Sequence, residues 1–357
     1  MRKIIVFVIV LLFNTNVYAA SVADLMNTAA EPVGKCLYVY GGGWNEADTG
    51  AGIDAMTMGI SRKWVDFYNA NNGSYNYKNT MYQIHNGLDC TGYIGWCMYQ
   101  LFQDSYSSSG YVYKSKIMAK TYADLFAGKY IQKDKITDYE CGDIMSSSGH
   151  VYIVVGKCDD GSVLFFHASP PNVSLCGTYR PDGNSNSEAI AIATEYMNKY
   201  FNECYKKYPK CSRGTSYLTD YNQMRWNKNV LTDSDGYRNM KPREILHDMF
   251  ENIKIYVNDV RVAKNEQIYL IDGTTYVPLR AVSESMGIGV SWFDKEKKVR
   301  LFKDGKEIDV FVNSLQNKSA FIQNNRTYVP VRFISENLGA YVSWEQKTKS
   351  VKIYRSE

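Results

Sequence analysis

Residues 87–102, GLDCTGYIGWCMYQLF, hold two cysteines seven positions apart, Cys90 and Cys97. Counting from Cys90, apolar residues recur at Tyr93, Ile94, Cys97, Met98, Leu101 and Phe102, which traces one face of a helix that begins at Cys90. Asp89 stands where an N-cap residue belongs. The Cys90 sulfur then lies in the first turn, beside unpaired N–H groups and the positive end of the helix dipole. That location favours the thiolate, the form that attacks carbonyls. Cys97 shares the stripe two turns further in and reads as core. Buried cysteines on amphipathic helices are mostly inert, so the reactivity of Cys90 depends on whether a base can reach it.

The chain has four histidines, at 85, 150, 167 and 247. Residues 150–167, HVYIVVGKCDDGSVLFFH, read as two strands around an Asp-Asp-Gly turn. With the turn centred on Asp159–Asp160, His150 lies opposite Ser169 and His167 opposite Tyr152. The two imidazoles are then diagonal neighbours on one face, about 7–8 Å apart by backbone. A tighter Asp160–Gly161 turn would shift the register and separate them. In the first register a general base and a group to orient it are presented together, which is the nucleophile–base–orienter logic of cysteine hydrolases. His85 reads as a loop residue and His247 as a helix-surface residue near a domain boundary.

These groups need a scaffold and a compartment. Arg2 and Lys3 precede the unbroken apolar run Ile4–Phe13, and Val17 and Ala19 occupy the −3 and −1 positions of a small-residue cleavage site. Residues 1–19 therefore read as a secretory signal, too short for a membrane anchor, and the mature protein is expected to be secreted, extracellular or associated with the cell wall, with no membrane span. The net charge of +4 falls to +2 without Arg2 and Lys3, too weak a balance to argue for nucleic acid. An exported chain permits disulfides, and Cys204 and Cys211, which bracket YKKYPK, are the candidate pair. The cysteine spacings make no zinc pattern, and no metal or cofactor is expected.

The chain divides by pattern. Residues 274–302 and 326–354 repeat at an offset of 52, with 14 of 29 positions identical. Each copy has a short strand, a proline (Pro278, Pro330) at the start of a helix, a glycine (Gly287, Gly339) that stops it, and two further strands. A duplicated unit of this kind packs its two apolar faces together as one domain, placed at 251–357. Residues 21–250 mix helix and strand patterns. The span 187–207 reads as one helix with Ser187 as N-cap, and 44–88 as a polar, aromatic insertion or series of loops. The fold class is α+β.

The segments LDCTGYIGWCMY around Cys90, GDIMSSSGHVYIVVG around His150 and FFHASPPNV around His167 resemble the three catalytic blocks of the NlpC family of cell-wall cysteine peptidases. Upstream, LYVYGGG at 37–43 resembles that family's Tyr-x-Tyr/Trp-Gly-Gly block. The likeness covers about 36–180. It implies a papain-like domain in which a helix bearing the nucleophile packs on an antiparallel sheet bearing the base. Cys90 would be the nucleophile, His150 the general base and His167 the orienting residue. Tyr38 would help form the substrate pocket, and Asp89 and Thr91 would contact substrate beside the nucleophile. The sequence has Thr91 where the family usually has Ser, and the 44–88 insertion where the family has a short gap. The implied activity is cleavage of an amide bond in the peptidoglycan stem peptide, between D-glutamate and the diamino acid. An amidase or acyl transferase using the same triad, and an inactive wall-binding protein, are the alternatives. The repeat resembles the copper amine oxidase N-terminal-like domain, usually a non-catalytic appendage, here a possible contact to cell-wall polymer. With no His and no Cys within 251–357, a nitrogen- or sulfur-rich copper site lacks its ligands.

Overall fold

The computed structural model describes residues 20–355 apart from 259, 264–265, 304, 313–319 and 347. The signal expected at 1–19 lies outside the described residues. No helix among them is long and apolar enough to cross a membrane.

The first part of the chain builds a mixed layer of helices on a sheet. Its strands are β1 (Leu37–Tyr38), β2 (Gly87–Leu88), β3 (Lys129–Ile131), β4 (Ile144–Ser146), β5 (Val151–Lys157), β6 (Val163–Ser169), β7 (Asn172–Thr178), β8 (Ser212–Arg213) and β9 (Asn222–Arg225). They run in the order β2-β1-β7-β6-β5-β4-β9-β3, with β8 beside β7. The central strands β4 to β7 are antiparallel. The helices are α1 (Val22–Ala30), α2 (Arg62–Ala70), α3 (Cys90–Phe102), α4 (Ser115–Leu125), α5 (Glu188–Tyr200), α6 (Asn202–Lys207), α7 (Ser216–Thr219) and α8 (Pro242–Phe250).

Strand alternation explains the layering. Val151, Ile153, Val155, Leu164, Phe166 and Ala168 turn to the main core, where α3, α1 and α8 pack. Tyr152, Val154, Val163, Phe165 and Cys176 form a second cluster on the opposite face with Met145 and Tyr221. Both faces are covered, so residues 151–155 and 163–166 are apolar and buried without alternation. The β5–β6 turn closes with Cys158 N–H donating to the Ser162 carbonyl at 2.8 Å. Near the turn Lys157 pairs with Val163, whereas beyond a bulge at Val155 Val154 pairs with Phe165 and Ile153 with Phe166. Without that bulge the register would bring Tyr152 beside Ala168 and set the two apolar patterns against each other. With it, His167 lies across from Tyr152, and both histidines share one face.

Three expectations need correction. The span 187–207 is two helices, not one: Ser187 caps α5, but Phe201, with φ −128° and ψ 41°, breaks the run before α6. The 44–88 stretch contains a helix, α2, whose Trp64 and Tyr68 are buried; only an i, i+4 pair announces it. None of the eight cysteines forms a disulfide. The Cys204 sulfur instead accepts from the Asn172 amide at 3.0 Å, while Cys211 adjoins Cys176 across β7 and β8.

The main core ends at Met249 and a separate one begins at Ile255. The second part contains β10 (Lys254–Val257), β11 (Val260–Val262), β12 (Tyr269–Ile271), β13 (Thr274–Pro278), α9 (Leu279–Ser285), β14 (Gly289–Phe293), β15 (Lys298–Lys303), β16 (Lys306–Phe311), β17 (Phe321–Gln323), β18 (Arg326–Pro330), α10 (Val331–Leu338), β19 (Ala340–Glu345) and β20 (Ser350–Arg355). The two copies meet along β13 and β18, where Val277 pairs with Val329, Tyr276 with Pro330 and Pro278 with Tyr328. Val277 and Val329 are the same position of the repeat, so the copies are related by a local two-fold axis. Buried Arg261 clasps this part to the first, donating to Asp248 at 2.5 and 2.6 Å and to Asp235 at 2.9 Å.

Candidate active site

Asp89 caps α3: its carboxylate accepts from the Gly92 N–H at 2.7 Å and from the Thr91 hydroxyl at 2.8 Å. The Thr91 oxygen in turn accepts from the Trp44 indole at 2.9 Å. The Gly42 carbonyl accepts from the Asp89 N–H at 2.9 Å, laying the Gly41–Gly43 loop directly on the first helical turn. A Cβ on Gly92 would stand 2.0 Å from the Gly42 oxygen, and one on Gly43 2.5 Å from the Gly92 Cα. The glycines here are a packing requirement, which gives the Gly-Gly block a physical reason.

Cys90 is the first residue of α3 and is 7% exposed. Its sulfur is approached by the backbone N–H groups of Val151, Thr91 and Cys90 itself. Those groups favour the thiolate, as the helix tip predicts. Burial and the neighbouring Asp89 charge outweigh them, and the thiol is pushed well up. The helix tip was legible in the sequence; the burial that opposes it was not. Nor is α3 buried on one face only, since Cys90 to Met98 are all buried. Burial also raises the Asp89 carboxyl to about 6. Tyr38 is buried beside this tip, feeling both Cys90 and Asp89. The Tyr75 hydroxyl donates to the Tyr38 carbonyl at 2.8 Å, so the insertion braces this wall.

His150 sits at the close of the tight Ser147–His150 turn, its N–H donating to the Ser147 hydroxyl at 3.2 Å. His150 Nε2 and His167 Nδ1 lie 2.9 Å apart, one donating to the other. His167 is fully buried, and its Nε2 has no hydrogen-bond partner among the described residues. Burial, then the positive charge of Arg213, lowers His150 to about 3 and holds His167 well below its ordinary value. Both imidazoles are neutral at rest.

The sequence-derived residues thus fall into two groups. Cys90, Tyr38, Asp89 and Thr91 gather at the tip of α3, and His150 and His167 pair across β5 and β6. Val151 joins them: its N–H faces the sulfur and its predecessor is His150. The sequence reading missed Arg213, Tyr217 and Tyr221, from the segment beyond the matched blocks. The Tyr217 ring lies 5.5 Å from that of His150 and 6.0 Å from that of His167, and Tyr221 6.4 Å from His150. Tyr221 also feels Cys90. No motif marks these residues; only the density of tyrosines in 205–221 hints at a packed lid. His85 binds Asp54 through Nδ1, and His247 lies exposed on α8. Among the described residues, Cys158, Asp160 and Glu188 bring three potential metal-ligand atoms together, but at the β5–β6 turn, where Asp160 already accepts from the N–H groups of Ser162 and Glu188.

Residues 256–353 match the family model of the copper amine oxidase N-terminal domain. The absence of His and Cys there leaves no donor set suited to copper. No curated protein and no solved structure matches the chain.

Proposed function

We propose that the chain is an exported peptidoglycan hydrolase whose first part is a papain-like cysteine endopeptidase of the NlpC type. The observation that carries the reading is the paired His150 and His167, 2.9 Å apart, reached through Val151 from a cysteine at a helix tip. The neutral resting pair of thiol and imidazole makes this general-base chemistry. As sulfur attacks the amide carbonyl, His150 takes the thiol proton, and the oxygen's developing charge meets the Cys90 N–H. His167 holds the ring. Arg213 disfavours the imidazolium so formed, which makes it a strong acid toward the leaving amine. Water then attacks the thioester, His150 again taking the proton, and frees the acid and the thiol. By the resemblance, the scissile bond joins D-glutamate to the diamino acid. The C-terminal part serves as a non-catalytic wall contact.

The test is digestion of purified stem peptides by wild type and Cys90→Ala, with fragment masses read out; equal cleavage by both ends the reading. The deep burial of the sulfur favours a second reading, acyl transfer in place of hydrolysis. An added amine acceptor distinguishes them by capturing a transfer product.

A further inference from the structure

We propose that the cleft between the 41–48 loop and the 82–86 loop is a subsite for a neutral pyranose ring of the glycan strand. The cleft, of about 410 Å³, is lined by Trp44, Glu46, Asp48, Tyr82, Gln83 and His85 among others, a size in the range of small-ligand sites. This inference rests on the reading of Cys90 as a nucleophile toward glycan-linked peptides, and it names a part of the substrate that the stem-peptide chemistry leaves open.

The first observation is Tyr82. The residue is 64% exposed although its backbone is held at φ 62°, in the left-handed region that large side chains avoid. Its N–H donates to the Tyr40 carbonyl at 2.8 Å, and the two rings meet edge to face at 5.4 Å. Of the other large aromatics of the insertion, Trp44, Trp64 and Tyr68 are buried, and Phe67, Tyr75 and Tyr77 pack half-buried against the core; Tyr82 does not. A flat, fixed, exposed ring suits the apolar face of a sugar. The second observation is the polar lining. The Glu46 and Asp48 carboxylates pair with no basic side chain among the described residues, and no Lys or Arg lines the cleft. Carboxylates beside an aromatic platform accept hydroxyl donors, and the missing cation disfavours phosphorylated or acidic sugars. Asp54 engages His85 Nδ1, which leaves the other ring nitrogen for a ligand.

The third observation is position. Gly41 and Trp44 line the cleft. Gly42 and Trp44 are hydrogen-bonded to Asp89 and Thr91, at 2.9 Å each. A ring seated there lies one layer from the nucleophile, where a peptide attached to it would enter the site.

The experiment titrates the full-length protein with a neutral N-acetylhexosamine tetrasaccharide by calorimetry, for wild type, Tyr82→Ala and Tyr82→Gly, with unfolding curves to confirm folding. Glycine accepts the left-handed backbone, so Tyr82→Gly removes the ring without strain. Saturable binding that weakens about tenfold in both variants supports the subsite. In parallel, the preference for glycan-linked over free stem peptide should narrow by a similar factor. Absence of tetrasaccharide binding by wild type, or equal binding by the variants, overturns it. So does binding in this cleft of a free peptide amine with no sugar binding. If the sugar binds through Tyr82 but no peptide is cleaved, the subsite stands and the peptidase reading falls.

Discussion

Asp89→Asn should reverse the sign of its stability effect with pH. The buried carboxyl is raised from 3.8 to about 6, which corresponds to about 3 kcal/mol lost by the fold when ionised, at about 1.4 kcal/mol per pH unit. Because the folded value lies above the unfolded one, this stability is fully present below about pH 4 and is lost as pH rises through about 6. Asparagine removes that dependence while its Oδ1 can still accept from Gly92 and Thr91. Its Nδ2, however, faces the Gly41 N–H that the carboxylate now accepts from, a donor against a donor, at roughly 1–2 kcal/mol. Urea unfolding followed by tryptophan fluorescence should therefore find the variant less stable than wild type by roughly 1–2 kcal/mol at pH 4 and more stable by roughly the same at pH 7.5. The swing of about 3 kcal/mol between the two is the quantity that matters. Alkylation of Cys90 at pH 7.5 should also quicken, since the Asp89 charge helps raise the thiol. A stability difference of one sign and size at both pH values would refute the reasoning about burial at the helix tip.

Further tests address the other contacts. Measured in the Asp89→Asn background, the acid limb of kcat/KM should lie below pH 5, because His150 is lowered to about 3. Arg213→Met should move that limb upward; a limb at the ordinary imidazole value in the unmodified Arg213 protein would contradict the neutral pair. Arg261→Met leaves Asp248 and Asp235 buried without their cation, and should cost roughly 3–5 kcal/mol in chemical denaturation. A loss under about 1 kcal/mol would show that the clasp is solvated. Gly92→Ala drives a methyl against the Gly42 carbonyl; it should cost roughly 1–3 kcal/mol by thermal unfolding and slow Cys90 chemistry with it. Unchanged melting and rate would mean the loop yields freely.

Local patterning made the tip of α3 readable: the apolar offsets from Cys90 and the Asp89 cap need no partner to be recognised. The duplication was equally visible, since repeated side chains imply repeated structure, and residues 256–353 match a family model. The pairing of the histidines depended on a register that sequence left open, because the Val155 bulge answers to the two apolar faces of the sheet rather than to its turn. Helix α2 escaped notice because nine residues with one buried i, i+4 pair carry little periodic signal. The surroundings of the thiol were missed for a different reason. A helix tip is a local feature, whereas the residues gathered around it, Tyr38, Trp44 and Tyr221, are 52, 46 and 131 positions away from Cys90 in the chain. Arg213 and Tyr217 belong to the same category: long-range neighbours with no motif of their own.

At the middle of the C-terminal part, Val277 faces Val329, its own counterpart in the other copy. Each copy therefore finishes its sheet only on its twin, and neither possesses a complete edge alone. Damage to either valine is inflicted on both halves at once, and the pair should melt in a single step, with no half-folded survivor.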